Sequence, residues 1–145
     1  MTQIDFYFNA EDRVQVACRL AGKAVARGKR LLIYAPQAET ASRLDKMLWT
    51  WPAIGFVPHC MTHDPLAAET PVLIAAGDDV PERCDLLLNL GDACPPHFAS
   101  FERLLELVGR EDEEKAAGRE RYKFYRDRGY AIANHDLAKA TGADG

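Results

Sequence analysis

Apolar residues in this chain fall into short continuous runs and into longer segments with helical spacing. The runs predict β-strands at 4–8, 30–34, 55–59, 71–75 and 84–90, with a further short extended piece at 130–132. The helical spacing predicts helices at 11–27, 37–49, 98–108 and 111–128. In the third of these the signal is the spacing of Phe98, Phe101, Leu105 and Val108, closed by Gly109.

The order of these elements predicts the fold class. Strand and helix alternate through the first half of the chain, as they do in βαβ units. The predicted strands are apolar on both faces, which suits a parallel sheet covered by helices on both sides. The run 55–59 is expected at a sheet edge, because Pro58 cannot donate a ladder hydrogen bond. We therefore expect an α/β fold, a three-layer α/β/α sandwich around a mostly parallel sheet.

Length and composition indicate an ordinary globular domain. The 145 residues predict a single domain, 1–145, with a tail that frays from about residue 134. No apolar run approaches the roughly 20 residues needed to span a bilayer, and the first residues lack the features of a signal peptide. A cytoplasmic protein is expected. The four cysteines form no C-x-x-C pair and are interpreted as small buried hydrophobic residues.

The turn after the first predicted strand lacks the features of a nucleotide site. It reads Phe8-Asn9-Ala10-Glu11-Asp12, with no glycine to let a phosphate approach the backbone. Two carboxylates stand where the phosphate would lie. Neither G-x-G-x-x-G nor G-x-x-x-x-G-K-[ST] occurs in the chain. The expected sheet is thus Rossmann-like without a nucleotide site, and no cofactor is predicted.

Two polar clusters are candidates for chemistry, but neither makes a persuasive site. A metal would need three or four ligands with supporting contacts, and adjacent strand residues do not face each other as a Cys–His pair must. A two-metal nuclease site is conceivable in the second cluster, although its sequence is more typical of a turn. No catalytic residue and no metal site are predicted, and the chain is not expected to be an enzyme by itself. The clusters are His59, Cys60, His63 and Asp64, and Asp78, Asp79 and Asp85.

The last predicted helix concentrates positive charge on an acidic chain. The whole chain has a net charge of −4, yet 115–128 holds six basic and two acidic residues. Helical geometry places one aromatic ring and four cations within one narrow arc. Such a patch can bind a carboxylate or phosphate, with the ring beside it for an apolar group. The arc comprises Lys115, Arg119, Tyr122, Lys123 and Arg126.

The same helix has a simpler interpretation. Acidic residues open it and basic residues close it, as the helix dipole favours, so the charges could form a solvated face. Arg121 and Arg128 lie close to the inward side marked by Ala117 and Phe124. These two arginines must therefore extend to solvent or form ion pairs.

A second candidate surface follows the second predicted helix. Trp49 lies about 100° from the apolar stripe of that helix, and a dense aromatic and apolar run follows it. These residues either fill the sheet edge or form an exposed patch that anchors a protein partner. The run comprises Trp51, Pro52, Ile54, Phe56, Val57 and Pro58.

Both stretches resemble the chi subunit of bacterial DNA polymerase III holoenzyme. The central signature is carried by Arg43-Leu-Asp45, Leu48-Trp49, Trp51-Pro52-Ala53 and Phe56-Val-Pro-His59. The C-terminal signature is carried by Arg119-Glu-Arg-Tyr-Lys123 with Tyr125-Arg126. The opening strand with Phe6-Tyr7 and the strand Gly28-Lys-Arg-Leu-Leu-Ile33 also match in kind and order, so the resemblance spans nearly the whole chain. The loops at 60–70 and 76–83 and the tail after Tyr130 carry no recognisable signature.

The resemblance implies a non-catalytic accessory subunit. Chi-family proteins bind the acidic C-terminal tail of single-stranded DNA-binding protein (SSB) and the psi subunit, which ties them to the clamp loader; some engage a DNA-repair helicase. The chain would be a monomer or a heterodimer with psi, contacting DNA only indirectly and no membrane. By position, the tail site would be Arg119, Tyr122, Lys123 and Arg126. The psi side would be Trp49, Pro52, Phe56, Val57, Pro58 and His59.

Two other classes of function stay open on the sequence. A direct single-stranded nucleic-acid binder would use the same basic helix, with its tyrosines stacking on bases. The acidic remainder of the chain disfavours this alternative. A nucleotide-dependent enzyme is disfavoured by the glycine-free first turn.

Overall fold

The computed structural model describes residues 1–50, 57–77 and 84–138. Three helices and seven strands are present in these ranges. The helices are α1 (Arg13–Ala26), α2 (Ala38–Thr50) and α3 (Asp112–Asp127). The strands are β1 (Gln3–Ala10), β2 (Leu31–Tyr34), β3 (His59–Met61), β4 (Val72–Ala75), β5 (Leu86–Asn89), β6 (Arg103–Gly109) and β7 (Ile132–Asp136).

The seven strands form one sheet in the order β3-β4-β2-β5-β6-β1-β7. Every pairing between neighbours is parallel. Because parallel neighbours need crossover connections, helices must cover the faces of such a sheet. The predicted α/β class and mostly parallel sheet are confirmed.

The helices lie on opposite faces of the sheet. Buried side chains of α1 and α2 pack with one set of strand residues, which includes Leu31, Ile33 and Leu107. Tyr125 of α3 packs with the alternate set, which includes Ile4 and Phe6. The alternation follows from the two-residue period of a strand, and it produces the three layers that the sequence predicts.

The predicted helix at 98–108 is wrong. Phe98–Ser100 is a short 3₁₀ turn, and Arg103–Gly109 is strand β6, between β5 and β1. Leu104 to Gly109 are all buried, because this central strand is covered on both faces. A short, mostly apolar run of this kind suits a buried strand as well as a helix, and the spacing of the phenylalanines gave the wrong period.

Two predicted strands have different bounds in the structure. The extended piece expected at 130–132 is strand β7, which continues to Asp136 beside β1. Residues 134–136 therefore belong to the sheet, whereas fraying was expected from about 134. The edge strand expected at 55–59 is observed as β3 at His59–Met61, and it does lie at the edge, beside β4. Residues 51–56, 78–83 and 139–145 lie outside the described residues.

Candidate peptide-binding site and partner surface

Helix α3 begins with a capping box and lies close against β6. The side chain of Glu111 accepts from the backbone at Glu114, whose own side chain accepts from the backbone of Glu111. Midway along the helix, Gly118 faces Val108 of β6. A Cβ at position 118 would lie 2.8 Å from the nearest Val108 methyl carbon. The absence of a side chain at Gly118 therefore sets how closely α3 approaches the sheet.

A buried ion pair holds the inward side of α3. The Arg121 Nε donates to Glu106 Oε1 at 2.8 Å, and the two side chains are 3% and 0% exposed. Tyr125 Oη donates to Glu106 Oε2 at 2.5 Å, and Asn89 Nδ2 lies 3.0 Å from Oε1. Arg121 also donates to the Asp92 carbonyl at 2.9 Å. The expectation that an inward arginine must pair is confirmed for Arg121.

Opposing effects act on the pKa of Glu106. Burial raises the pKa of this carboxyl above its ordinary value of 4.5, while the charge of Arg121 and the hydrogen bonds from Tyr125 and Asn89 oppose the rise. Burial also raises the pKa of Tyr125, whose hydroxyl therefore stays protonated and donates. Each donor matters because an unpaired carboxylate at this depth would be strongly unfavourable.

The outward side of α3 carries the predicted arc of cations. Arg119 and Lys123 are exposed, Lys115 is half-buried, and the structure shows no carboxylate paired with any of the three within the part of the chain it describes. Arg126 differs, because its Nη2 lies 3.0 Å from the Oδ1 of the adjacent Asp127. Both partners are solvent-exposed, so this pair is weak and exchangeable.

A groove of about 230 Å³ adjoins this arc at the carboxyl ends of β1, β6 and β7. Its apolar part includes Phe6 and Phe8 of β1, and its basic part includes Lys115 and Arg119. Tyr122 joins the two parts, since its ring centroid lies 5.2 Å from that of Phe6. The structure thus brings Arg119 and Tyr122 together at one groove, with Lys123 one residue further along the exposed helix. The contributions of Phe6 and Phe8 could not be predicted from the helix alone.

Arg128 does not join the arc. Its guanidinium carbon lies 3.8 Å from the centroid of the Phe124 ring, in a cation–π contact on the same helix. This contact and the Arg121 ion pair explain how the helix accommodates two arginines near its inward side.

The second candidate surface combines exposed and buried side chains. Trp49 is 58% exposed at the end of α2, and its ring centroid lies 5.0 Å from that of His59. The His59 side chain is fully buried, with Nε2 2.9 Å from Asp45 Oδ1 and Nδ1 2.7 Å from the Val57 carbonyl. Val57 is 2% exposed, and Pro58 is half-buried. Pro52 and Phe56 lie outside the described residues.

This burial bears on the predicted partner surface. The fold covers His59 and Val57 in this conformation, and their place on the partner surface stays a prediction. The sequence suggested a strand-end role for His59 as the alternative, and the hydrogen bonds to Asp45 and Val57 agree with it. Among the predicted partner residues that the structure describes, Trp49 presents a large exposed apolar surface.

The turn after β1 is closed by the chain's own groups. Asp12 caps α1 by accepting from the backbone N–H of Val14 at 3.0 Å, and its carboxylate also pairs with Arg43. The hydrogen bond from Arg43 lowers the pKa of Asp12 below its ordinary value. The amino end of α1, where phosphate binds in nucleotide-binding sheets, is therefore occupied by a carboxylate.

The described residues of the two polar clusters do not meet the requirements of a metal centre. The described residues contain no group of three or more His, Cys, Asp or Glu side chains placed to hold a metal ion. Asp85 accepts instead from the backbone N–H of Arg30 at 2.9 Å; Asp78 and Asp79 lie outside the described residues. Cys18 is buried, which raises the pKa of its thiol to about 12, and the other three cysteines are half-buried and free.

Within the described ranges, none of the helices has the length and apolar character required to cross a bilayer.

Comparison with known proteins identifies the family. The family model described as DNA polymerase III chi subunit, HolC, matches residues 1–133. The chain belongs to the DNA polymerase III chi subunit family. DNA polymerase III subunit chi of Pseudomonas aeruginosa is 35% identical over 143 residues, covering 96% of this chain and 99% of that protein. The Escherichia coli subunit is 35% identical over 119 residues, covering 81% of each chain. The Haemophilus influenzae subunit is 32% identical over 124 residues, covering 85% of this chain and 86% of the relative.

A solved structure with low sequence identity to this chain shares the fold. The C-terminal domain of S. cerevisiae Dbp5 matches with a TM-score of 0.62 over 99% of this chain and 94% of that one. At 9% identity, this likeness concerns the fold alone. Membership of the chi family makes the chain an accessory subunit of DNA polymerase III in DNA replication.

Proposed function

We propose that this subunit links SSB to the clamp loader. One surface, α3 with the adjoining groove, binds the acidic C-terminal tail of SSB. A second surface around Trp49 binds the psi subunit or an equivalent clamp-loader component. The subunit performs no chemistry in this role and joins two protein partners.

The observation that supports binding of the SSB tail is the set of cations on the outward side of α3. Arg119 and Lys123 are exposed and Lys115 borders the groove, with no carboxylate of the described chain paired to them. An arginine or lysine that has no internal partner can take a carboxylate without first losing an ion pair.

The groove supports a specific kind of acidic ligand. Phe6, Phe8 and Tyr122 give it an apolar part, while Lys115 and Arg119 line the same 230 Å³. A peptide that ends in an aromatic or apolar side chain and a free carboxylate matches both parts. Each hydrogen bond between a cation and the terminal carboxylate contributes about 1.5–3 kcal/mol, and the remaining charges act at longer range.

We give Arg126 a lesser part in tail binding, because its guanidinium is paired with a neighbouring carboxylate. Its guanidinium is held at 3.0 Å by Asp127, so a bound tail would compete with this contact. We place Arg119 and Lys123 in the principal role, with Arg126 adding to the positive potential.

Titration with a labelled SSB tail peptide tests the proposal. We expect Arg119→Ala and Lys123→Glu each to weaken binding by at least about tenfold, as the loss of one charge-assisted contact predicts. Binding should also weaken as salt rises. Amidating the peptide's C-terminus should produce a similar loss, because it removes the terminal carboxylate.

Lys46→Glu is the matched control, since Lys46 is an exposed lysine on α2. Equal affinity of the wild-type, Lys123→Glu and Lys46→Glu proteins for the peptide would refute the tail site. Thermal unfolding of each variant confirms that the fold is retained, and exposed substitutions of this kind change stability by only about 0.5 kcal/mol.

The second half of the proposal depends on Trp49. A tryptophan that is 58% exposed at the end of a helix is a typical anchor for a protein partner. We expect Trp49→Ala to abolish co-purification with psi while leaving tail binding intact. Retention of psi by this variant, with the fold preserved, would remove Trp49 from the interface.

A further inference from the structure

A second basic groove lies on the face of the sheet opposite α3. Its volume is about 470 Å³, within the range of roughly 300–1,000 Å³ common for ligand sites. Strand residues Tyr7, Leu105 and His135 line one part, and the last turns of α1 line another. The tail site is built on the other face, so the two surfaces are separate.

The groove is positively charged on an acidic chain. Four cations line it, from α1, the loop after it and the start of β6, against one lining carboxylate, Glu102. Glu102 Oε1 lies 3.5 Å from Lys29 Nζ. The nearby Asp5 is 2% exposed and 3.1 Å from Arg103 Nη1, so its charge is compensated within the protein. The cations are Lys23, Arg27, Lys29 and Arg103.

The spacing of these cations suits a repeating anion. Lys23 and Arg27 are four residues apart at the end of α1, which places them as neighbours on one helical face. Arg27 and Lys29 are both exposed. A ligand with several negative charges in a row could contact more than one of them.

An aromatic pair lies beside the cations. The rings of Tyr7 and His135 stack with centroids 4.5 Å apart and planes 15° from parallel. Parallel pairing of β1 with β7 puts the two residues opposite each other on one face, and His135 Nε2 is held 3.2 Å from Asp5 Oδ1. Both residues are half-buried and line the groove, so the stacked pair offers aromatic surface there.

We propose that this groove binds a short segment of single-stranded DNA, with a base against the Tyr7–His135 pair and phosphates on the α1 cations. A basic groove that contains an aromatic stacking surface is the combination that binds single strands without sequence preference. An acidic peptide could use the cations, but it has no base to stack. Membership of a DNA polymerase III family favours DNA over RNA as the strand encountered.

Fluorescence anisotropy with a labelled oligothymidylate of about 16 nucleotides tests the proposal. We expect Lys23→Gln with Arg27→Gln to weaken binding at low salt by at least about tenfold. The slope of log K against log salt should become shallower by about 1.4, the value for two lost phosphate contacts on a single strand. Tyr7→Leu should weaken binding without changing that slope.

The matched control is Arg119→Gln with Lys123→Gln, which removes the same charge from the opposite face. This control should retain DNA binding and lose binding of the SSB tail, while the groove variant should do the reverse. Failure of the proposed function would show in the peptide titration alone. The groove proposal is overturned if the wild-type protein does not bind the oligomer, if the control loses DNA binding instead, or if polyglutamate of equal charge displaces DNA equally well.

Discussion

Replacing Arg121 with methionine should destabilise the protein more than any surface change on the same helix. The guanidinium donates to Glu106 at 2.8 Å and to the Asp92 carbonyl at 2.9 Å, and both side chains of the ion pair are buried. Methionine fills similar space but leaves the carboxylate with only the donors of Tyr125 and Asn89. Removing one partner of a buried pair costs about 3–5 kcal/mol, a large share of the roughly 5–15 kcal/mol that stabilises a domain.

Urea unfolding followed by circular dichroism measures this loss. Two further variants make the test informative even if Arg121→Met folds poorly. Tyr125→Phe removes one hydrogen bond to a charged group and should cost about 1.5–3 kcal/mol. The double variant Glu106→Gln with Arg121→Met carries no buried charge, so it should be more stable than Arg121→Met alone.

The pH dependence gives an independent check on the mechanism. Without Arg121, burial acts unopposed by the nearest charge and raises the pKa of Glu106 further. A carboxyl whose folded pKa is raised stabilises the fold below its unfolded value of about 4.5 and loses that contribution as pH rises through the folded pKa. The deficit of Arg121→Met should therefore shrink as pH falls towards 4.5. A deficit below about 1 kcal/mol at neutral pH, or a double variant no better than the single one, would refute the role of the ion pair.

Other changes separate packing from electrostatics. Gly118→Ala should cost about 1–3 kcal/mol in urea unfolding, because the new Cβ would lie 2.8 Å from Val108. Adding Val108→Ala should relieve part of that loss. An unchanged urea midpoint for Gly118→Ala would refute the close packing. Asp12→Asn keeps a capping side chain but loses the charge paired with Arg43, so it should cost under about 1 kcal/mol at neutral pH. Since the pKa of Asp12 is lowered, the stability advantage of the wild type over Asp12→Asn should be present above the ordinary value of 3.8 and vanish as pH falls through the folded pKa. An advantage that is independent of pH would refute the pairing. His59→Leu should cost about 1–3 kcal/mol by leaving the buried Val57 carbonyl without its partner, and a neutral effect on the unfolding midpoint would contradict the observed hydrogen bonds.

The sequence was sufficient to predict most strands of the sheet and the cations on the outward side of α3. Apolar runs such as 30–34 and 71–75 are local signals of buried strands, and the structure contains β2 and β4 at those places. The arc on α3 also follows from local geometry, because residues three and four apart share a helical face. Strand β6 was missed because a seven-residue, mostly apolar segment preceded by phenylalanines fits a helical period as well as a buried strand.

The features that the sequence did not predict depend on contacts between segments that are distant along the chain. Arg121 was visible as a cation on the inward side, and Glu106 as a charge inside an apolar run, but their pairing follows from the docking of α3 on β6. The segment around His59 shows the same limit, since its sequence does not reveal which side chains the sheet edge covers. Asp45, fourteen residues away, is the partner that places the imidazole inside.

The two sides of α3 therefore depend on each other. The inward Arg121–Glu106 pair and the close contact at Gly118 fix how the helix lies on β6. That position places Tyr122 against Phe6 and puts Arg119 at the mouth of the groove. A cation on a mobile segment would have to be ordered at the moment of binding, with an entropic cost of roughly 1–2 kcal/mol for the backbone of each residue in addition to about 0.5–1.5 kcal/mol for each side chain. By fixing the backbone beneath the cations through buried contacts, the fold limits this cost to the side chains themselves, which would let the acidic peptide of the proposed function bind with few direct contacts.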